Sequence, residues 1–298
     1  MSLWLAHRRR FRYGRPVGAG NTSGNAVAEV QPCGFAVVLG EDWRVFSVSG
    51  NIAELFADCG RFMIGQPLTE HFGAAAVHSL RNQLALMRDA AGTARLFSLF
   101  FASVPKPFDV AMHLVGGKIV LEVFPSAHLE AGDPAGTVRQ LAAQLDSCTT
   151  ADEILQRGAR LMRALTGFDG VTIFRGSQRA AHDARGDLAP AGHCPSPELR
   201  LVADASASPT ALEPDCDASL FDRALLRCPD EAERDAIRIG GANALLAVPL
   251  RSAGKDWGMA VSRNRGPRRP ALDRIAAAEL FGDLLAMRAE LCEFRARA

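Results

Sequence analysis

Residues 199–268 read LRLVADASASPTALEPDCDASLFDRALLRCPDEAERDAIRIGGANALLAVPLRSAGKDWGMAVSRNRGPR, and this stretch decides the fold. Leu199–Ser206 alternates apolar and polar side chains, the pattern of a half-buried strand. A loop carries the chain past Pro214. Ser219–Arg227 and Glu231–Ile239 then show apolar spacing that suits two short helices, with Pro229 near the start of the second. The last part is two apolar runs around Ser252-Ala253-Gly254-Lys255, a turn-rich break that predicts a hairpin. The sum is an antiparallel sheet flanked by helices, the plan of a small-ligand sensor.

Working upstream, GFDGVTIFRG at 167–176 supplies a helix stop and a first strand for the same sheet. Thr137–Thr166 reads as helix, with Leu141, Leu145, Ile154, Leu155, Leu161, Met162 and Leu165 on apolar faces. Thr150 has Glu153 three residues on, a capping pair, so two helices are expected to meet there. Farther upstream, FAVVLG, WRVFSVSG, RLFSLFFAS, FDVAMHLVG and KIVLEVFP are five strand runs. Gly116-Gly117 is the turn between the last two, and short helices fall in NIAELFADCG and AAAVHSLRNQLALMRDAA. The expected organisation is a Gly-, Asn- and Ser-rich tail at 1–26, a first domain at 27–126, a linker at 127–136 and a second domain at 137–298. The fold class is α+β.

Ala271–Ala298 is rich in Ala, Leu, Glu and Arg and predicts one long terminal helix. Ala277, Leu280, Leu284, Met287, Leu291 and Phe294 step by three and four along it, a heptad seam. Its first half should lie on the sheet. The part from Leu284 onward should pair with a second copy of the chain, burying apolar groups worth about 1.5–3 kcal/mol each.

Composition narrows the function classes. The chain has 298 residues, enough for about two domains, and 48% are hydrophobic. Its net charge of +1 argues against a nucleic-acid partner. The seven cysteines form no CxxC pair, which suits reduced thiols in the cytoplasm. No apolar run reaches the ~18 residues of a membrane span, and MSLWLAHRRRFRYGR lacks the apolar run of a secretory signal. The Arg8–Arg15 cluster reads as a solvated terminal tail, and the RGPRR run at Arg265–Arg269 as a basic cap before the terminal helix. His182, Asp183, His193 and Cys194 lack the helical spacing of a metal site and read as surface polar groups; His71 and His78, seven apart, could share a helix face, but no metal is expected there. No phosphate-binding glycine loop, nucleophile elbow or H-E-x-x-H motif is present, so no enzyme is expected.

VQPCGFAVVLG and FDVAMHLVGGKIVLEVFP resemble the first domain of phytochromes, with Cys33 where the family has His. The order of elements in 137–298 resembles the phytochrome GAF domain. The resemblance implies a PAS domain followed by a GAF domain, and a GAF pocket for a linear tetrapyrrole such as biliverdin. It also marks what this chain lacks. The family's attachment cysteine would fall in Gly18-Ala19-Gly20, and residues 1–32 contain no cysteine. The Asp-Ile-Pro segment before Leu199 is deleted. By resemblance, Arg227 keeps a propionate-binding arginine. Phe174 and Ala236 stand for tyrosines, Glu233 for a pocket histidine, Leu245 and Ala247 for serines, and Asn264 for a second histidine. Cys194 and Cys228 are thiols near the expected pocket. These losses leave the cofactor unassigned and disfavour biliverdin. Three readings remain: a dimeric PAS–GAF regulatory module with a degenerate pocket that signals along its terminal helix to a partner in trans; a biliverdin-binding red/far-red photoreceptor with an atypical pocket; and a ligand-free dimeric adaptor.

Overall fold

The computed structural model describes residues 27–56, 63–87, 92–102, 104–126, 133–185, 188, 198–269 and 271–297. The first sheet is built from β1 (Glu29–Val30), β2 (Phe35–Leu39), β3 (Val45–Ser49), β4 (Ala94–Phe100), β5 (Pro107–Val115) and β6 (Lys118–Pro125). A 3-10 turn at Gly50–Glu54, α1 (Thr69–Phe72) and α2 (Ala74–Ala85) cover one side. Strand alternation divides the sheet into two faces. On β6, Ile119, Leu121 and Val123 enter the core under these helices. Val120, Glu122 and Phe124 point the other way, toward the second domain.

The second domain opens with α3 (Pro134–Ala143) and α4 (Ala151–Thr166). Thr150 caps α4 as expected: its hydroxyl accepts from the Glu153 N–H at 3.2 Å, and the Glu153 carboxylate accepts from the Thr150 N–H. The second sheet runs β8 (Gln178–Asp183), β7 (Gly170–Arg175), β12 (Lys255–Asn264), β11 (Ala244–Ser252) and β9 (Arg200–Val202), all antiparallel. The β11–β12 hairpin turns at Ala253-Gly254, both at positive φ, which matches the right-handed twist of the strands. α4 and α6 (Leu272–Arg297) pack on one face of this sheet. They cross closely at Gly158, where an added Cβ would sit 2.0 Å from Leu285 Cδ1. α5 (Glu231–Ile239) covers the other face.

Three elements differ from the sequence expectation. The helical run placed at Ser219–Arg227 is a 3-10 turn at Ala218–Phe221 followed by turns. The strand placed at Leu199–Ser206 ends at Val202, because Asp204 turns the chain by accepting from the Ser206 N–H and hydroxyl. The supposed loop beyond it holds β10 (Thr210–Glu213), which leaves its own domain and inserts between β1 and β3 of the first sheet. The first sheet therefore has seven strands, in the order β1-β10-β3-β2-β6-β5-β4.

The segment 203–230 thus straps the domains together. Its middle pairs with residues 28–30, and its end returns Leu226 O to the Gln31 N–H at 2.8 Å. Gln31, 2% exposed, completes the tie. Its side-chain nitrogen donates to the carbonyls of Leu201, Leu225 and Arg227, and its oxygen accepts from the Ala203 N–H at 2.8 Å. One buried amide holds both ends of the strap.

On α6, Phe281, Leu285, Ala286 and Ala289 are buried against the domain. Leu280, Met287, Leu291 and Phe294 are exposed, and Leu284 is half-buried. The helix has one apolar stripe packed and a second one facing solvent.

Candidate functional site

The α5 face of the second sheet is the candidate site. The register places Phe174 opposite Met259, Ala247 opposite Val261 and Leu245 opposite Val202. These six side chains form an apolar floor, and Ile237 of α5 with Ala205 and Ala242 closes over it. Leu245 and Ala247 lie in the floor, where the resemblance places serines. Thr172 shares this face and is also buried.

Charge sits at the edges. Arg200 follows the same register as Ala247, so it shares this face, and it is 2% exposed. Its Nε and Nη2 donate to the two carboxylate oxygens of Glu233, both at 2.8 Å. Its Nη1 donates to the carbonyls of Leu201 and Arg227. Every nitrogen of the guanidinium thus donates to the chain's own acceptors, with the carboxylate held in the bidentate geometry that binds it best. Arg227 lies next to it, half-buried, and makes no ion pair among the described residues. Burial lowers its affinity for a proton, and the neighbouring Arg200 charge lowers it further, against Glu233, Asp222 and Asp230.

Of the positions singled out from the sequence, Arg227, Glu233 and Phe174 meet on this face. Ala236 does not join them, because it lies on the exposed side of α5. Asn264 is at the end of β12, where its side chain donates to Gly266 O at 3.0 Å. Its neighbour Arg263 occupies the site side instead, 7% exposed, and donates to Gly240 O. Sequence reasoning missed both Arg263 and Arg200. Period-two counting from Met259 and Val261 reaches Arg263 directly. Arg200 had no such signal, because its partner lies 33 residues away on a helix.

The thiols near the site are poor nucleophiles. Burial pushes the Cys33 thiol up to about 12. Burial also raises the Cys228 thiol, although the Arg234 guanidinium beside it, 3.2 Å from Sγ, works against this. A thiolate is the reactive form, so burial works against reactivity at both. Cys194 and His193 lie outside the described residues. Among the described residues no three His, Cys, Asp or Glu side chains gather as metal ligands. Asp183, considered for such a site, instead accepts from the Leu188 N–H at 2.9 Å and pairs with Arg265.

The comparisons agree with this architecture. The model of the PAS fold matches residues 25–126, and that of the GAF domain matches 150–289. The chromophore-binding domain of an unusual bacteriophytochrome from R. palustris superposes with a TM-score of 0.74 at 20% identity, over 90% of this chain and 96% of that one. The chain is a PAS fold followed by a GAF domain, with the fold of bacteriophytochrome chromophore-binding domains. A longer structure of the same R. palustris bacteriophytochrome gives a TM-score of 0.76 at 20% identity; the match covers 91% of this core but only 60% of that chain. The chromophore-binding domain of a Stigmatella aurantiaca bacteriophytochrome, a point mutant in the Pr state, gives 0.72 at 23% identity, over 87% and 94%. No curated protein matches the core by sequence. No helix among the described residues of this core is long and apolar enough to cross a membrane.

Proposed function

We propose that this PAS–GAF core is a cytoplasmic sensory module of signal transduction whose α5 face is not a working bilin cradle. It acts through conformation and not by catalysis. It pairs with a second copy along Leu280, Leu284, Met287, Leu291 and Phe294, and passes its change of state along α6 to a signalling partner in trans.

The Arg200–Glu233 pair carries the reading of the pocket. A tetrapyrrole brings carboxylates that need cations. Here the buried cation already holds a carboxylate, and that carboxylate would repel an incoming one. Displacing it would leave Glu233 half-buried without its partner, a cost of several kcal/mol. The apolar floor offers no carboxylate, imidazole or phenol to orient pyrrole nitrogens. The solvent-facing stripe on α6 supports the dimer, since apolar side chains repeating at three and four residues gain about 1.5–3 kcal/mol each when buried.

The test is co-expression with a biliverdin source, followed by absorption spectroscopy before and after red illumination. A protein with no visible band is expected. A red or far-red band that changes with light would overturn this reading and select the photoreceptor.

A further inference from the structure

The RGPRR run at Arg265–Arg269 has no part in that reading, yet its side chains do not simply point to solvent. A cleft lies between the end of α4, the strands β9 and β11, and the turn into α6. Its cavity volume is about 50 Å³, and it opens to solvent. Leu201, Leu246, Phe168 and Ile275, all buried, make an apolar floor. Arg268, Arg269 and Arg274 stand around it, and no acidic residue lines it among the described residues.

The arginines are arranged, not scattered. Arg268 is half-buried, its guanidinium lies 5.2 Å over the Phe168 ring, and its Nη2 donates to Thr166 O at 3.3 Å. Arg274 reaches toward the same point: a Cβ at Gly167 would lie 2.5 Å from Arg268 Nη2 and 3.3 Å from Arg274 Nη1. Gly167, at φ +69°, therefore serves two purposes, ending α4 in the left-handed conformation and leaving room for both guanidinium groups. Burial and the Arg274 charge together oppose the charge on Arg268, against a single carboxylate, Asp169. Asp169 is itself held by Arg265, through its N–H at 3.0 Å and its guanidinium at 3.1 Å. Among the described residues, Arg268, Arg269 and Arg274 form no salt bridge. Arg268 and Arg274 meet beside an apolar cleft that Arg269 also lines, their one nearby carboxylate is held by Arg265, and a bound multivalent oxyanion is what relieves their mutual repulsion.

We propose that this cleft binds a phosphate group, held by Arg268, Arg269 and Arg274, with the organic part of the ligand resting on the Phe168–Ile275 floor. The cleft touches the start of α6, so its ligand would act on the same helix as the proposed dimer, at a site independent of the α5 face.

The test uses the full chain at constant ionic strength, with isothermal titration calorimetry and thermal shift. The probes are inorganic phosphate, pyrophosphate, and vesicles of phosphatidic acid against phosphatidylcholine. Saturable binding of either soluble probe, weakened roughly tenfold or more by Arg269→Gln and by Arg274→Gln, is expected. Both arginines are exposed, so neither change should unfold the chain, and the exposed Arg238→Gln should leave affinity unchanged. Binding to phosphatidic acid vesicles alone, lost in the same two variants, would support the site and identify the phosphate as a lipid headgroup. Binding by no probe, or binding that both variants retain in full, would overturn the proposal. Neither result depends on whether a bilin binds the α5 face.

Discussion

Glu122→Gln should stabilise the protein more and more as pH rises. Glu122 is a charged residue in the strand KIVLEVFP, on the side of β6 that faces the strap, and it is 1% exposed. Its Oε2 accepts from the Leu226 N–H at 2.6 Å, while Oε1 meets no hydrogen-bond partner among the described residues. Burial pushes its carboxyl from the ordinary 4.5 up to about 8, against the Leu226 N–H and the Arg95 charge. The folded protein therefore holds a proton that the unfolded chain releases above about pH 4.5. Stability then falls as pH rises from about 4.5 to about 8, by about 1.36 kcal/mol for each pH step of one, about 5 kcal/mol at most. His113 lies on the same face, with Nε2 3.0 Å from Leu220 O, and it acts in the opposite sense. Burial lowers its pKa, so it costs stability as pH falls below 6.5. The two effects oppose each other between about 4.5 and 6.5, and only Glu122 acts above that. Glutamine copies the protonated acid and cannot ionise. Thermal melts of both proteins from pH 5 to pH 9 should start close together and diverge, the variant melting higher by roughly 10 °C near pH 9. Parallel curves across that range would refute the argument, because they would mean that Glu122 ionises in the fold at no cost.

Gln31→Leu should cost about 2 kcal/mol or more in chemical denaturation, because it takes the amide away from the Leu225 carbonyl and the Ala203 N–H, while Leu201 O and Arg227 O still accept from Arg200. Glu233→Gln should cost about 3–5 kcal/mol by the same assay, since it leaves the buried Arg200 guanidinium without its charge partner. Gly158→Ala should lower stability by about 1–3 kcal/mol through the clash with Leu285, and Leu285→Ala in the same chain should recover part of that loss. If the proposed pairing along α6 forms, Leu291→Arg with Phe294→Arg should leave only monomer in sedimentation velocity where the unaltered chain sediments as a dimer, with little change in melting temperature, since both side chains are exposed on one chain.

What was legible in the sequence follows from how far apart the partners are. The β11–β12 hairpin, the Thr150 cap and α5 at Glu231–Ile239 all depend on residues within about one turn or one reverse turn of each other, and the structure has all three. The stripe on α6 was legible too, because a helical repeat shows which side chains share a face whether or not anything covers them. β10 was not. It is four residues, TALE, too short to show a period, and its partners Glu29–Val30 and Val48–Ser49 lie more than 160 residues upstream. Nothing local distinguishes such a strand from a loop. The Arg200–Glu233 pair failed for the same reason, although each residue was in view.

The polar groups between the domains were a different kind of omission, because the sequence did carry a sign of them. Asp109 and His113 interrupt FDVAMHLV, and Glu122 interrupts KIVLEV, in strands otherwise apolar on both faces. A strand with two apolar faces is covered on both sides, so a charge within it must meet a partner that covers it. Which segment does the covering is a tertiary matter, and the structure supplies it: Leu220 and Leu226 of the strap present a carbonyl to His113 and an N–H to Glu122. Backbone groups can satisfy these side chains only where the strap is not itself helical, since a regular helix would use the same carbonyl and N–H internally. The run Ser219–Arg227 has helical spacing and yet closes only a 3-10 turn at Ala218–Phe221, because two buried polar side chains of the first domain claim the hydrogen bonds that a longer helix would need.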